Sequence, residues 1–162
     1  MPWQEQLGVL GSVALAMLLG GLIGAERKLA DKPAGMRTHM LIAGAAALLT
    51  AIGSTLVVNV HQVQGDAVRS DPLRIIEAII TGISFIGAGT ILRYNQRERV
   101  EGLTTAASIL FSAALGICVA RQLYVLAVGI TLLALFVLRG MGAVERWLDK
   151  AMSRKKDAAD SV

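Results

Sequence analysis

Residues 20–39, GGLIGAERKLADKPAGMRTH, decide how this chain is organised. An uncharged apolar run ends here in a cluster of glycines, and a short loop dense in charge follows it. A second apolar run, MLIAGAAALL, begins directly after the loop. This pattern is typical of a membrane protein with several spans, at the point where one helix leaves the bilayer and the next one returns.

The composition supports the same interpretation. Apolar residues make up 54% of the 162 residues and charged residues only 17%, whereas a soluble domain carries roughly 25% charged residues. The length is enough for one domain. The net charge of +4 does not indicate nucleic acid as a partner, because the basic residues lie beside the apolar runs and no aromatic residues are interleaved with them.

Outward from this stretch, the apolar runs predict an all-α membrane protein with five transmembrane helices, over residues 7–25, 40–58, 75–92, 103–120 and 123–138. The first run resembles a span more than a cleaved signal peptide, because no basic segment precedes it. Asp71-Pro72 predicts the start of helix three, since aspartate suits an N-cap and proline the first helical position. Arg121-Gln122 predicts a very tight connection between helices four and five.

The basic residues predict the orientation. Thirteen of the sixteen lysines and arginines lie in the first loop, the third loop and the tail, and three lie on the opposite side. This bias predicts that the N-terminus lies outside and the C-terminus in the cytoplasm. We expect a transmembrane domain over residues 1–139. Residues 140–162 then form a basic amphipathic helix on the inner membrane surface, or a frayed continuation of helix five.

The sequence offers little for catalysis. Cys118 is the only cysteine and lies in an apolar run, and His39 and His61 fall in predicted loops with no metal-binding spacing. We find no nucleophile–base pair and no phosphate-binding loop, so the chain is predicted to be neither an enzyme nor a protein with a cofactor.

Small residues recur at every fourth position in three of the predicted helices. These are Ser12, Ala16, Gly20 and Gly24 in helix one; Ala43, Ala47, Ala51 and Thr55 in helix two; and Thr104, Ser108, Ser112 and Gly116 in helix four. Such stripes let helices approach closely within a membrane. We therefore predict packing faces, and the alternative for helix four is a polar permeation stripe.

Glu77 is the acid that falls within a predicted span. Ionisable groups at such depth usually face a cavity or a partner. One interpretation is an interfacial ion pair with Arg74, which lies three residues earlier on the same helix face. The other is a cation or proton site within the bundle, with Glu77 as the candidate metal ligand.

Three glycines, Gly82, Gly87 and Gly89, are crowded into helix three. Because glycine costs about 1 kcal/mol in an ordinary helix, they predict either tight packing, which we favour, or a local break in the helix. In the first loop, Glu26 could form a clamp with Arg37 across the hairpin. The alternative is that the basic residues of this loop only anchor the topology.

Three blocks, in order, resemble the MgtC/SapB family of bacterial inner-membrane proteins. The blocks are GGLIGAERKLADKPAGMRTHMLIAGAAALLT (20–50), DPLRIIEAIITGISFIGAGTIL (71–92) and EGLTTAASILFSAALGICVA (101–120). The positions that match the family signature are Glu26, Arg27, Ala34, Gly35, Arg37, Thr38, Arg74, Gly82, Gly87, Gly89, Gly102, Leu103, Thr104, Thr105, Ala106 and Ala107.

The resemblance implies a multi-pass inner-membrane protein linked to magnesium homeostasis, to growth at low magnesium and, in some pathogens, to virulence. It implies a regulator of other membrane proteins, with a small oligomeric magnesium or proton transporter as the alternative. The implied partners are the lipid bilayer, other inner-membrane proteins or a second copy, and a divalent cation.

Three features depart from the family pattern. Position 77 is Glu where many members have a small neutral residue, so a site there would belong to a subgroup. Helix four has Ile109-Leu110-Phe111 where tryptophan is common, and Thr104 where asparagine is common. Many members also continue into a soluble C-terminal domain, which we expect this sequence, ending at Val162, to lack.

Overall fold

The computed structural model describes residues 2–64, 72–92 and 102–140. These ranges contain five helices and no strand, as the sequence predicts. The helices are α1 (Trp3–Leu29), α2 (Met36–Gln64), α3 (Pro72–Leu92), α4 (Leu103–Ala120) and α5 (Tyr124–Gly140). The predicted N-cap Asp71 and residues 141–162 of the predicted tail lie outside the described ranges.

Four of these helices are long and apolar enough to cross a membrane. The candidate spans are Trp3–Leu29, Met36–Leu56, Leu73–Ile91 and Leu103–Ala120, and α5 is a shorter apolar helix. At about 1.5 Å per residue, the shortest of the four spans is close to the thickness of the hydrocarbon core. The fold is therefore a helical membrane bundle, and its orientation in the membrane remains a prediction.

The connection between α1 and α2 is shorter than the charge pattern predicts, because both helices extend into the charged stretch. α1 ends in a Schellman motif in which Asp31 adopts a left-handed backbone with φ of 53°. The Lys32 amide donates to the Arg27 carbonyl, and the Asp31 amide donates to the Lys28 carbonyl. Six residues, 30–35, then suffice to reverse the chain, and α2 begins at Met36.

The same motif makes the tight turn predicted between α4 and α5. Gln122 is left-handed with φ of 60°, its amide donates to the Val119 carbonyl, and the Leu123 amide donates to the Cys118 carbonyl. At the other end of α4, Gly102 has φ of 96°, a conformation that side chains other than glycine rarely adopt. Both ends of α4 are thus fixed by local backbone geometry.

The inner faces of α1, α2 and α4 form the core, and the small-residue stripes meet there. A Cβ atom at Gly20 would lie 2.8 Å from the Ala43 side chain, and one at Gly116 would overlap the Ala43 carbonyl oxygen. Ala16 and Ala47 are fully buried in the same cluster. The prediction that these stripes are packing faces is confirmed for these residues, while Thr104, at the start of the α4 stripe, is exposed.

The remaining two helices lie on the outside of this core. α5 packs against it through Ala127, and Ile130, Ala134 and Leu138 are partly buried there. α3 packs on α2 and α4 through Ile79 and Gly87. Only 17% of the α3 span is buried, compared with 44% of the spans in α2 and in α4. α3 is therefore the least covered of the four spans.

Candidate functional site

Buried polar side chains gather at one end of the bundle, where α1 ends, α2 begins and α4 begins. We call Glu26, Arg27, His39, Thr105 and Ser108 the polar cluster. All five residues are buried, with 6% of Glu26, 3% of Arg27 and none of His39 exposed. Such burial of charged and titratable groups is uncommon, because each must be paired or hydrogen-bonded to offset its loss of water.

Close helix contact brings the cluster together. A Cβ atom at Gly24 would lie 2.8 Å from the Gly35 carbonyl oxygen, so glycine at this position lets the end of α1 rest directly on the start of α2. Glu26 and Arg27 follow within the last turn of α1, and His39 lies in the first turn of α2. Ser108 approaches from α4, three residues after Thr105.

The two charges of the cluster neutralise each other. The Arg27 guanidinium donates through Nε to the Glu26 carboxylate, and both side chains are almost entirely removed from solvent. A buried pair of this kind contributes little net stability while intact, but removing either partner leaves an uncompensated buried charge.

His39 links the α1–α2 connection to α4. Its Nδ1 lies 2.9 Å from the Gly35 carbonyl oxygen, and its Nε2 lies 3.1 Å from the Ser108 hydroxyl. Because a carbonyl oxygen can only accept, Nδ1 must carry the proton. The imidazole therefore spans from the first turn of α2 to a residue that is 69 positions away along the chain.

The Ser108 hydroxyl has one proton and two acceptors within reach. The Thr105 carbonyl oxygen lies 2.8 Å from it, in addition to His39 Nε2. With a neutral ring, Nε2 accepts and Ser108 donates to it; with a charged ring, Nε2 donates and Ser108 can donate to Thr105. The cluster thus has two consistent hydrogen-bond arrangements, which differ by one proton on His39.

Three expectations about this stretch are wrong. Glu26 pairs with Arg27 beside it, and no clamp with Arg37 forms, since Arg37 is exposed. His39 lies in α2 rather than in a loop, because α2 begins three residues before it, and α2 also includes His61. The basic residues of the first loop do not all serve only to anchor the topology, because Arg27 is buried in the polar cluster.

The hydroxyl groups of α4 divide between two environments. Thr105, Ser108 and Ser112 are buried in the core, and Ser112 donates to the Ser108 carbonyl. Thr104 is exposed. Of the three hydroxyls in the predicted permeation stripe, Ser108 and Ser112 are buried in protein packing and Thr104 is exposed, so they do not line one open path. The interpretation of this stripe as a packing face is therefore the better one.

The candidate residues of α3 lie away from the polar cluster. Arg74 and Glu77 are both exposed and form no ion pair with each other, so the predicted local pair is wrong. α3 is an unbroken helix. Tight packing holds for Gly87, which faces Ala106, whereas a Cβ atom at Gly82 or Gly89 would meet nothing within 4 Å.

No metal centre is visible in the described part of the chain. It contains no group of three or more His, Cys, Asp or Glu side chains that could hold an ion. A cavity of about 480 Å³ lies beside Ser108, between α4, α5 and Ile23 of α1. Its walls are almost entirely apolar, with Phe111 and Leu133 among them, so they provide no ligand set for a cation. Whether Glu77 binds a metal stays a prediction.

Sequence reasoning identified Glu26 and Arg27 but missed the role of His39. A usable signal was available, since His39 follows Gly35 by four residues and therefore could reach back to its carbonyl oxygen across one helical turn. The contact with Ser108 carries no such signal, because it depends on how α2 and α4 pack together.

Comparison with known proteins identifies relatives across most of the chain. A protein of Haemophilus influenzae Rd is 36% identical over 152 residues, which cover 94% of this chain and 63% of the relative. Protein SrpB of Synechococcus elongatus is 36% identical over 166 residues, covering 95% and 87%. YhiD of Escherichia coli K12, whose name describes a proposed magnesium transporter, is 40% identical over 124 residues. These residues cover 76% of this chain and 56% of YhiD.

The chain thus spans less than two thirds of the length of two of these relatives. None of the solved structures matches it significantly. The profile of the MgtC family matches residues 13–147. Together with four helices of membrane-spanning length, this match indicates a multi-pass protein of the bacterial inner membrane. The chain belongs to the MgtC family.

Proposed function

We propose that this protein acts in magnesium homeostasis as a non-enzymatic regulator of, or accessory to, other inner-membrane proteins. The observation that carries the proposal is membership of the MgtC family over residues 13–147. The link to magnesium is supported by the relative YhiD, whose name describes a proposed magnesium transporter. Members of this family are associated with transport or homeostasis rather than with catalysis.

The arrangement of polar groups supports a regulator rather than a protein that conducts ions. In the described bundle, the buried polar side chains are fixed to one another or to their own helix. Arg27 is paired with Glu26, and Ser108 is bonded between His39 and Thr105. Groups that pass an ion along must release it readily to the next site, whereas the cluster instead holds three helix ends in one arrangement.

The alternative is a small oligomeric transporter for magnesium or protons that uses Glu77 and the polar faces of α3 and α4. The name of YhiD favours it. Within one chain, however, Glu77 lies on the exposed face of α3, while Ser108 and Ser112 are buried in the core. The described part of one chain therefore does not join these groups in a single path.

A growth assay and a flux assay together separate the two functions. A strain that lacks the gene is complemented with the wild-type protein or with Glu77→Gln, and growth is measured at limiting magnesium. In parallel, the purified protein is reconstituted in liposomes that contain a magnesium-sensitive or a pH-sensitive dye.

Rescue of growth by both proteins, with no dye response above empty liposomes, is the result expected of a regulator. A magnesium or proton flux that Glu77→Gln abolishes would show that the protein is a transporter and would reject the regulator function. Failure of the wild-type protein to rescue growth, with no flux, would reject both functions.

A further inference from the structure

The cavity between α4 and α5, which we call the α4–α5 cavity, opens on the outer surface of the bundle. It reaches inward to Ile23 of α1, which is fully buried. Phe111 and Leu133 also line it, and they are 38% and 63% exposed. Because the outer surface of a membrane bundle meets the acyl chains of the bilayer, this cavity is open to lipid.

The cavity is long and narrow. Along α4 it extends from Thr104 to Phe111, and seven residues of helix span about 10 Å. A volume of about 480 Å³ over that length gives a mean width of about 8 Å. A helix with its side chains is about 10–12 Å wide, so another helix cannot enter the cavity, whereas a single hydrocarbon chain can.

The walls favour a ligand without hydrogen-bonding groups inside the cavity. They are almost entirely apolar. The buried hydroxyl among them belongs to Ser108, which already bonds to His39 and to the Thr105 carbonyl. Cavities of this size with apolar walls are typical of ligand sites. Water is a poor occupant here, because it needs several polar partners.

One end of the cavity lies at the membrane-facing end of two helices. Thr104 is one residue after the start of α4, and Leu138 is two residues before the end of α5; both line the cavity. Arg139 follows Leu138 and is exposed. Within the described ranges, no carboxylate lies within ion-pair distance of Arg139. A cation without a counter-charge therefore stands at the mouth of the cavity.

Other charges at this end of the bundle have the same sign. The end of α1, the connection to α2 and the start of α2 lie here as well, beside the polar cluster. In the described part of the chain, the exposed basic residues at this end outnumber the exposed acid, Asp31; they are Lys28, Lys32, Arg37 and Arg139. Basic residues at a membrane surface attract the headgroups of anionic lipids.

We propose that the α4–α5 cavity binds one acyl chain of an anionic phospholipid, with the phosphate of that lipid beside Arg139. The acyl chain lies along α4 from Thr104 toward Phe111 and reaches Ile23 between the helices. This site accounts for an apolar cavity with an unpaired basic residue at its mouth. Neither the polar cluster nor the packing of the core requires these two features.

Native mass spectrometry with a photoreactive lipid tests the site in the wild-type protein. The full chain is purified in a mild detergent with phosphatidylglycerol that carries a diazirine on its acyl chain. One lipid per chain is expected to remain bound, and illumination should attach it to Leu133. Leu132 is the matched control, because it is 62% exposed on the same helix but does not line the cavity.

Filling the cavity tests the position of the acyl chain. Ala107 lines the cavity, so Ala107→Phe places an aromatic ring in it and should remove most of the bound lipid. Ala114 is an exposed alanine two turns further along α4 and outside the cavity. Ala114→Phe should therefore retain lipid as the wild-type protein does. Thermal unfolding of both variants checks that each is folded.

Competition between phosphatidylglycerol and phosphatidylcholine tests the headgroup. The wild-type protein is expected to prefer phosphatidylglycerol. Arg139→Gln should lower that preference about fivefold, since one basic residue near the surface contributes about 1 kcal/mol. Arg121 is exposed at the opposite end of α4, so Arg121→Gln should leave the preference unchanged.

A wild-type protein that retains no lipid, or that is labelled equally at Leu132 and Leu133, would overturn the proposal. A second copy of the chain bound in place of the lipid would do the same. Equal retention by Ala107→Phe and Ala114→Phe would show that the lipid binds elsewhere on the bundle. An unchanged preference in Arg139→Gln would reject the anionic headgroup.

Discussion

The core of α1, α2 and α4 and the outer face of α3 are built from the same kinds of residue. Both carry glycine, alanine, serine, threonine and a glutamate near an arginine. In the core these residues are buried, with Gly116 against Ala43 and Glu26 paired with Arg27. On α3 the corresponding residues, among them Gly82 and Glu77, are exposed and make no such contacts.

The difference teaches that these residue types predict helix contact but not which helices make it. In a membrane, apolar surface alone does not drive helices together, so small and polar residues must supply the close contacts. In the core, these close contacts form within one chain. The outer face of α3 carries the same residue types, but Gly82 and Glu77 make no such contacts there.

The largest expected difference between the two regions concerns their glutamates. Glu26→Gln leaves the buried Arg27 without a counter-charge and should lower the free energy of unfolding by about 3 kcal/mol. Glu77→Gln removes an exposed charge and should change the unfolding free energy of the isolated chain by less than about 0.5 kcal/mol. Unfolding is measured for both variants in detergent, at a dilution that separates copies.

Similar losses for Glu26→Gln and Glu77→Gln would mean that the buried pair and the exposed residue do not differ as described. A double variant, Glu26→Gln with Arg27→Gln, serves as the control for the cause. It removes both charges and should be more stable than Glu26→Gln alone.

The next difference concerns glycines. Gly116→Ala introduces a Cβ atom that overlaps the Ala43 carbonyl oxygen, and forcing α2 and α4 apart should cost about 2 kcal/mol. Gly82→Ala meets nothing within 4 Å, so it should leave stability unchanged or raise it by up to about 1 kcal/mol, because alanine favours the helix. Thermal unfolding in detergent measures both, and equal melting temperatures would argue against the close contact of α2 with α4.

The smallest difference concerns two serines. Ser108→Ala removes the partner of His39 Nε2 and should cost about 1 kcal/mol, the typical value of one hydrogen bond. Ser84 is exposed on α3, so Ser84→Ala should have no measurable effect on the isolated chain. If chemical denaturation shows the same stability for both variants, the His39–Ser108 contact does not stabilise the bundle.

Much of the fold follows from the sequence, because apolar runs and glycine stripes are local patterns. The five helices, the start of α3 at Pro72 and the tight turn after α4 are all predicted from neighbouring residues. The helix ends are less predictable, since α1 and α2 extend into the charged stretch and the Schellman turn at Asp31 is formed by backbone hydrogen bonds rather than by glycine.

Only part of the polar cluster could be predicted from the sequence. Glu26 and Arg27 stand out as charges at the end of an apolar run, but their burial and mutual pairing depend on α2 lying against α1. His39 and Ser108 are 69 positions apart, and only the packing of α2 against α4 brings them together. Residue type likewise could not show that Glu77 lies on an outer face.

The accessibility of α3, compared with that of the core, tests the central claim most directly. With Cys118 replaced by alanine, nitroxide labels are placed at Ser84→Cys, on the exposed face of α3, and at Ser112→Cys, which is buried in the core. The rate of collision with dissolved oxygen is measured for each label in bilayers. We predict free access at position 84 and strong shielding at position 112, and equal access at both positions would contradict the difference between the two regions.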